Sequence, residues 1–172
     1  VTVTGLQRVD SEEFQRALPA VKEPVSAYRF LEPGFALALN ADAVQPQVKA
    51  VVKQQNSIGP DAARITAQIL YTIKRAGLFH LKVSIPLDYR IEGVAGPNIA
   101  QSRRNNVDPS IFEVTLRERT AGSCSLALLL VKNYKDAPAT FSVPAVHPIG
   151  AAKVNGYITV IGIGDDLLVK RI

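Results

Sequence analysis

The sequence has no tryptophan, no methionine, one cysteine and two histidines among its 172 residues. A single cysteine excludes an internal disulfide framework and a cysteine-based zinc cluster. No apolar run approaches the roughly 18 residues of a membrane-spanning helix, so we expect no membrane insertion by this segment. Because aromatic residues make up only 6% of the chain, its core must consist mainly of Val, Ile, Leu and Ala.

The residues that are present indicate a folded chain. Hydrophobic residues make up 47% of the sequence, which is more than a disordered segment carries. The net charge of +5 is spread along the chain rather than gathered in one stripe, so no nucleic-acid partner is expected. The length predicts one domain, 1–172, with a weak sub-boundary near 144–150. The missing initiator methionine predicts a processed product or, as the preferred interpretation, a segment excised from a longer chain.

Strand periodicity dominates the sequence. Alternating apolar residues over Arg64–Lys74 and Leu78–Ile85 predict two antiparallel strands, joined as a hairpin at Ala76–Gly77. Cys124–Val131 is apolar on both faces and predicts a central strand that is covered on each side.

Several shorter segments also have the composition of strands. The predicted segments are 25–30, 35–40, 48–54, 89–94, 111–119, 141–143, 157–163 and 167–172. Helix is predicted only over Asp10–Leu18, where Asp10 caps the first turn and Pro19 ends the helix. Together these features predict an all-β fold with minor helix, an antiparallel two-sheet β-sandwich or supersandwich.

The glycine-containing segment Val160–Asp166 resembles the start of a dinucleotide-binding fingerprint. The fingerprint needs a third glycine where Leu167 stands, and a helix after it. A glycine-containing turn is therefore the better interpretation, and no cofactor is expected.

His80, His147 and Cys124 are the remaining candidates for metal or thiol chemistry. The histidines lack ligand spacing, and Cys124 lies in an apolar strand where a thiol is typically buried. We therefore predict no catalytic residue and no metal site, although tertiary contact could still bring these side chains together.

Two loops contain the candidate ligand-contact residues. Tyr134 lies in a polar segment after Asn133 and is the one aromatic residue expected to be exposed. Asp165 and Asp166 are adjacent carboxylates, for which a turn is the usual role. Asn133, Tyr134, Asp165 and Asp166 are the tentative ligand-contact positions.

Three segments resemble a known kind of protein: Val3–Asp10 with the short acidic helix after it, Ala67–Leu87, and Val146–Ala152 followed by Gly156–Val160. In this order they resemble a repeating β-sandwich segment of very large, predicted exported bacterial proteins of unassigned function. The resemblance implies a non-catalytic module in the periplasm or cell envelope. Its partners would be neighbouring domains of the same polypeptide or envelope proteins.

Three hypotheses follow. The first is a structural or interaction module of a large exported protein. The second is a carbohydrate-binding β-sandwich that contacts glycans through the four loop residues. The third is an enzyme, either a sugar-processing supersandwich enzyme that uses a histidine with a carboxylate, or a thiol enzyme that uses Cys124.

Overall fold

The computed structural model describes residues 2–20, 24, 26–136 and 138–164. The described elements are, in chain order, β1 Thr2–Thr4, β2 Leu6–Val9, α1 Ser11–Ala17, β3 Ala27–Phe30, β4 Ala36–Ala38, β5 Gln47–Ile58, β6 Ala62–Ser84, β7 Arg90–Ala95, β8 Ile99–Arg104, β9 Ile111–Asn133, β10 His147–Ile149 and β11 Lys153–Gly162.

The chain divides into two compact units, Val1–Ala43 and Val44–Ile172. In the first unit, β1 pairs with β4 and β2 with β3, both antiparallel. Asp10 caps α1 as predicted, since its side chain accepts a 2.7 Å hydrogen bond from the backbone N–H of Glu13. The prediction of one domain over 1–172 stays a prediction, and the stretch 144–150 lies inside the second unit.

The second unit contains one sheet built around two 23-residue strands, β6 and β9. These strands pair antiparallel along almost their whole length. In the first sheet half, residues 62–73 of β6 pair with residues 122–133 of β9 within the order β11-β5-β6-β9-β7. In the second sheet half, residues 78–84 of β6 pair with residues 111–120 of β9, and β10 and β8 flank them. Two sheet halves are therefore joined by strands that run through both.

Buried side chains from both halves form one hydrophobic core. Ile65, Ile69 and Leu128 come from the first half, while Val83 and Val114 come from the second. Each of these side chains is at most 1% exposed. The two halves therefore share a single apolar interior, as the two layers of a sandwich do. The prediction of an all-β, antiparallel fold with one short N-terminal helix is confirmed.

The predicted hairpin at Ala76–Gly77 is wrong. The chain does not reverse there, and β6 continues from Ala62 to Ser84. The register with β9 shifts between Ile73 and His80, and Arg75 has a positive φ of 71°. Glycine and a left-handed residue also occur in β-bulges, and here they form an irregularity in one strand. β6 can continue through this irregularity because β9 pairs with it on both sides.

Other differences concern short elements. The predicted strand 141–143 is absent, and the strand in this region is β10. Cys124–Val131 is central as predicted, but the outward residues Ala127 and Leu129 are only half-buried. β1, β2, β8 and β10 are not among the predicted strands. The predicted strand 167–172 lies outside the described residues.

Candidate functional site

The structure places two of the four predicted ligand-contact residues beside each other. Asn133 is the exposed last residue of β9, and Tyr134 follows it. The Tyr134 hydroxyl donates to the backbone oxygen of Gly59, and its ring centroid lies 5.7 Å from that of Phe141. Tyr134 is half-buried against the core and Tyr157 is exposed, so the prediction that Tyr134 is the one exposed aromatic residue is wrong. Asp165 and Asp166 lie outside the described residues, and ligand contact by any of the four stays a prediction.

His80, His147 and Cys124 lie in three different surroundings. His80 is exposed on β6, with its Nδ1 3.3 Å from the hydroxyl of Thr115. His147 is exposed on β10 opposite Ser84. Cys124 is buried, as expected, and burial raises the pKa of its thiol. Among the described ranges, no group of three His, Cys, Asp or Glu side chains could hold a metal ion.

The most unusual surface of the second unit is strand β11. All ten of its residues are exposed, including Val154, Ile158, Val160 and Ile161, and Tyr157 is 67% exposed. β11 pairs in parallel with β5, whereas parallel strands are generally covered on both faces. Long exposed apolar strands at a sheet edge are binding or aggregation surfaces.

Backbone hydrogen bonds show which groups of β11 point away from β5. The N–H of Ile163 donates to the backbone oxygen of Ile58 over 2.7 Å, and the backbone oxygen of Thr159 accepts from the Asn56 side chain over 3.2 Å. Odd-numbered residues therefore direct their backbone groups to β5. The backbone N–H and C=O groups of successive residues point to opposite sides of a strand. Those of the even-numbered residues from Val154 to Gly162 therefore point to the open side of β11, away from β5. In the part of the chain that the structure describes, no strand pairs with that side.

The other outer strands of this sheet carry features that hinder added strands. β7 has an Arg90–Glu92 ion pair, β8 ends in Arg103 and Arg104, and β10 is three residues long with Pro148 at its centre. Charges, proline and short length are the usual protections of a sheet edge. β11 is long, has no proline, and carries one charge, on Lys153.

The outer face of the sheet, defined here as the side that carries Tyr157 and Lys53, is positively charged. Lys153 lies opposite Lys49 in the parallel register, and Tyr157 lies opposite Lys53. β5, β11 and residues 62–74 contain no Asp or Glu. The five ion pairs found in the described residues involve none of these three lysines.

An open depression of about 540 Å³ lies on this outer face beside Tyr157. The surrounding side chains are lysine, amides and hydroxyls, namely Lys53, Gln55, Thr66, Gln68 and Thr159. The depression offers one aromatic ring and several hydrogen-bonding groups, but no acid–base or nucleophilic pair.

Sequence reasoning did not identify β11 as a site. Its apolar residues predicted a strand, but apolar strands are normally core, and only the position at the end of the sheet leaves this one exposed. The sequence does contain one signal, the absence of any Asp or Glu from both β5 and β11. Because these strands are neighbours in the sheet, this shared absence leaves their outer face positively charged.

Comparisons with known proteins give fold likenesses alone. No family model and no curated protein matches the sequence. A non-cellulosomal cohesin from the archaeon Archaeoglobus fulgidus aligns with a TM-score of 0.37 and 14% identity, over 69% of this chain and 94% of the cohesin. A type I cohesin from Clostridium thermocellum, solved in complex with a dockerin, aligns with a TM-score of 0.38 and 13% identity, over 73% of this chain and 100% of that chain.

An M1 zinc metallopeptidase from Deinococcus radiodurans aligns with a TM-score of 0.39 and 13% identity, over 57% of this chain. The aligned region spans 23% of the peptidase, so the enzyme is several times longer than the shared part. At such low identities and TM-scores these likenesses carry no argument about what this chain does. No described helix is long and apolar enough to cross a membrane.

Proposed function

We propose that this chain is a non-catalytic interaction module of a large exported bacterial protein, and that it binds a polypeptide segment along the open side of β11. The exported, envelope-associated setting rests on the sequence resemblance. The binding role rests on one observation, the exposure of ten consecutive residues in an edge strand whose open side is paired with no described strand. Neighbouring domains of the same polypeptide or other envelope proteins would supply the segment.

The binding mode is addition of a strand to the sheet. The even-numbered residues of β11 offer backbone donors and acceptors, which supply affinity in this mode. Val154, Ile158 and Val160 lie on the side of the sheet that faces the core, and they are 40%, 53% and 42% exposed. An added strand would cover them, which removes apolar area from water at roughly 25 cal/mol per Å² before the costs of association.

The test uses a neutral, fluorescently labelled ten-residue peptide that alternates valine and threonine. We expect it to bind the wild-type chain and to lose binding to Ile158→Pro, because proline removes an outward N–H and leaves the bonds to β5 in place. Ile158→Thr is the matched control, since it keeps the N–H and should keep most of the binding. Val160→Pro repeats the test at a second outward position.

The proposal fails if the peptide does not bind the wild-type chain. It also fails if both proline variants, shown to be folded by circular dichroism, bind as the wild type does.

A second candidate function is glycan binding at the depression beside Tyr157. An exposed aromatic ring next to amide and hydroxyl groups is a suitable surface for a sugar, which has an apolar face and hydroxyl edges. Binding to a panel of polysaccharides should then be lost in Tyr157→Ala and kept in Tyr134→Phe. Equal binding by both variants, or no binding by the wild type, would exclude the depression as a glycan site.

A further inference from the structure

The chemistry around β11 specifies the kind of segment that fits it. We infer that the partner is an extended protein segment in which apolar residues alternate with acidic residues. This inference rests on the proposed binding of a strand at β11 and adds the sequence pattern of that strand.

The alternation follows from the two faces of the sheet. Side chains of an added strand point in turn to the inner and the outer face. On the inner face their neighbours would be Val154, Ile158 and Val160, which favour apolar residues. On the outer face the nearest charged neighbour is Lys153, with Lys49 and Lys53 one strand further.

The charges are close enough to select acidic residues. Adjacent strands lie about 4.8 Å apart, so an added strand is about 10 Å from the backbone of β5. Lys49 and Lys53 leave β5 on the same face as the outward side chains of an added strand. The separation of about 10 Å is close to the Debye length of roughly 8 Å at physiological salt, so their attraction is weakened but not abolished. Because none of the three lysines forms an ion pair with the described residues, an incoming carboxylate would displace no ion-pair partner among those residues.

A second copy of this chain fits the same edge poorly. The β11 of a second copy carries one lysine and no carboxylate. Its neighbours in the sheet, β5 and residues 62–74 of β6, carry no carboxylate either. Joining two such sheets would place side by side two outer faces whose described strands carry lysine and no carboxylate, and like charges across neighbouring strands are destabilising. The charge pattern therefore favours a different, acidic chain.

The experiment compares two capped ten-residue peptides that differ only in charge. One alternates valine with glutamate, and the other alternates valine with lysine. Exposed ion pairs each change affinity about 1.5- to 5-fold, so two or three of them predict roughly tenfold tighter binding of the glutamate peptide at low salt. High salt should reduce this preference.

Charge reversal on the protein provides the decisive comparison. Lys53→Glu/Lys153→Glu should prefer the lysine peptide, whereas Arg103→Glu/Arg117→Glu, which changes the net charge equally on other strands, should keep the original preference. Both double variants should still bind the neutral valine–threonine peptide.

Three results would overturn the inference. The first is that the wild type binds the two charged peptides equally well and that Ile158→Pro abolishes the binding of both. Strand addition at β11 would then stand, but the preference for acidic residues would be wrong. The second is a wild-type dimer that Ile158→Pro makes monomeric, which identifies a second copy as the occupant. The third is no binding of the charged or the neutral peptide, which also removes the proposed function.

Discussion

The buried side chain of Gln54 ties the segment after β9 to the sheet, and its replacement by leucine should destabilise the second unit. Its amide nitrogen donates to the Pro144 backbone oxygen over 2.7 Å and to Asn56 Oδ1 over 2.9 Å. Its oxygen accepts from the N–H of Val146 over 2.9 Å. Gln54 is 2% exposed and Val146 is 2% exposed, so water does not readily replace these bonds.

The expected loss of stability follows from the number of polar groups that lose a hydrogen-bond partner. Gln54→Leu has nearly the same volume and leaves a buried N–H and two oxygens unsatisfied. Each such group costs about 1–3 kcal/mol, so a total loss of roughly 3–5 kcal/mol is expected. Small domains are stable by about 5–15 kcal/mol, which makes this a large fraction of the whole.

The assay is urea unfolding followed by circular dichroism, together with amide exchange at Val146. The matched control is Gln55→Leu, since the neighbouring Gln55 side chain is exposed and its replacement should change stability by no more than about 0.5 kcal/mol. If Gln54→Leu and Gln55→Leu unfold within about 1 kcal/mol of each other, the reasoning from buried hydrogen bonds is wrong.

Three further predictions concern single side chains. The Tyr71 hydroxyl is buried without a hydrogen-bond partner in the described structure, so Tyr71→Phe should stabilise the second unit by about 1 kcal/mol in urea unfolding, while the exposed Tyr157→Phe should be neutral. Asp10→Ala should speed amide exchange at Glu13 and cost α1 about 1 kcal/mol, whereas unchanged exchange would contradict the cap. Because burial raises the pKa of the Cys124 thiol and so disfavours the thiolate, alkylation should be slow in the native protein and rapid in urea; equal rates would contradict its burial.

Much of the fold was predictable because strand periodicity reports burial directly. The alternation over Arg64–Lys74 gave the correct inward residues of β6, including Ile65, Ile69 and Tyr71. The alternation over 111–119 did the same for Phe112 and Val114. The helix was predictable because Asp10 and Glu13 satisfy a local capping rule that needs no tertiary information.

The connection between strands was not predictable from local patterns. Ala76–Gly77 has the composition of a turn, yet β9 pairs with β6 on both sides of it, so the chain continues through a bulge. The exposure of Tyr134 was misjudged for the same kind of reason, since its partners Gly59 and Phe141 are distant in sequence. The open edge of β11 depends on strand order, which one sequence does not specify.

The most direct test of the proposed function is residue-resolved amide exchange along β11 in the free protein, measured by NMR. We expect β5 to protect the odd-numbered amides of Asn155, Tyr157 and Thr159, while the even-numbered amides of Ile158 and Val160 exchange rapidly. On addition of the valine–glutamate peptide, the even-numbered amides should become protected. Equal protection of odd and even amides before any peptide is added would contradict an open edge at β11.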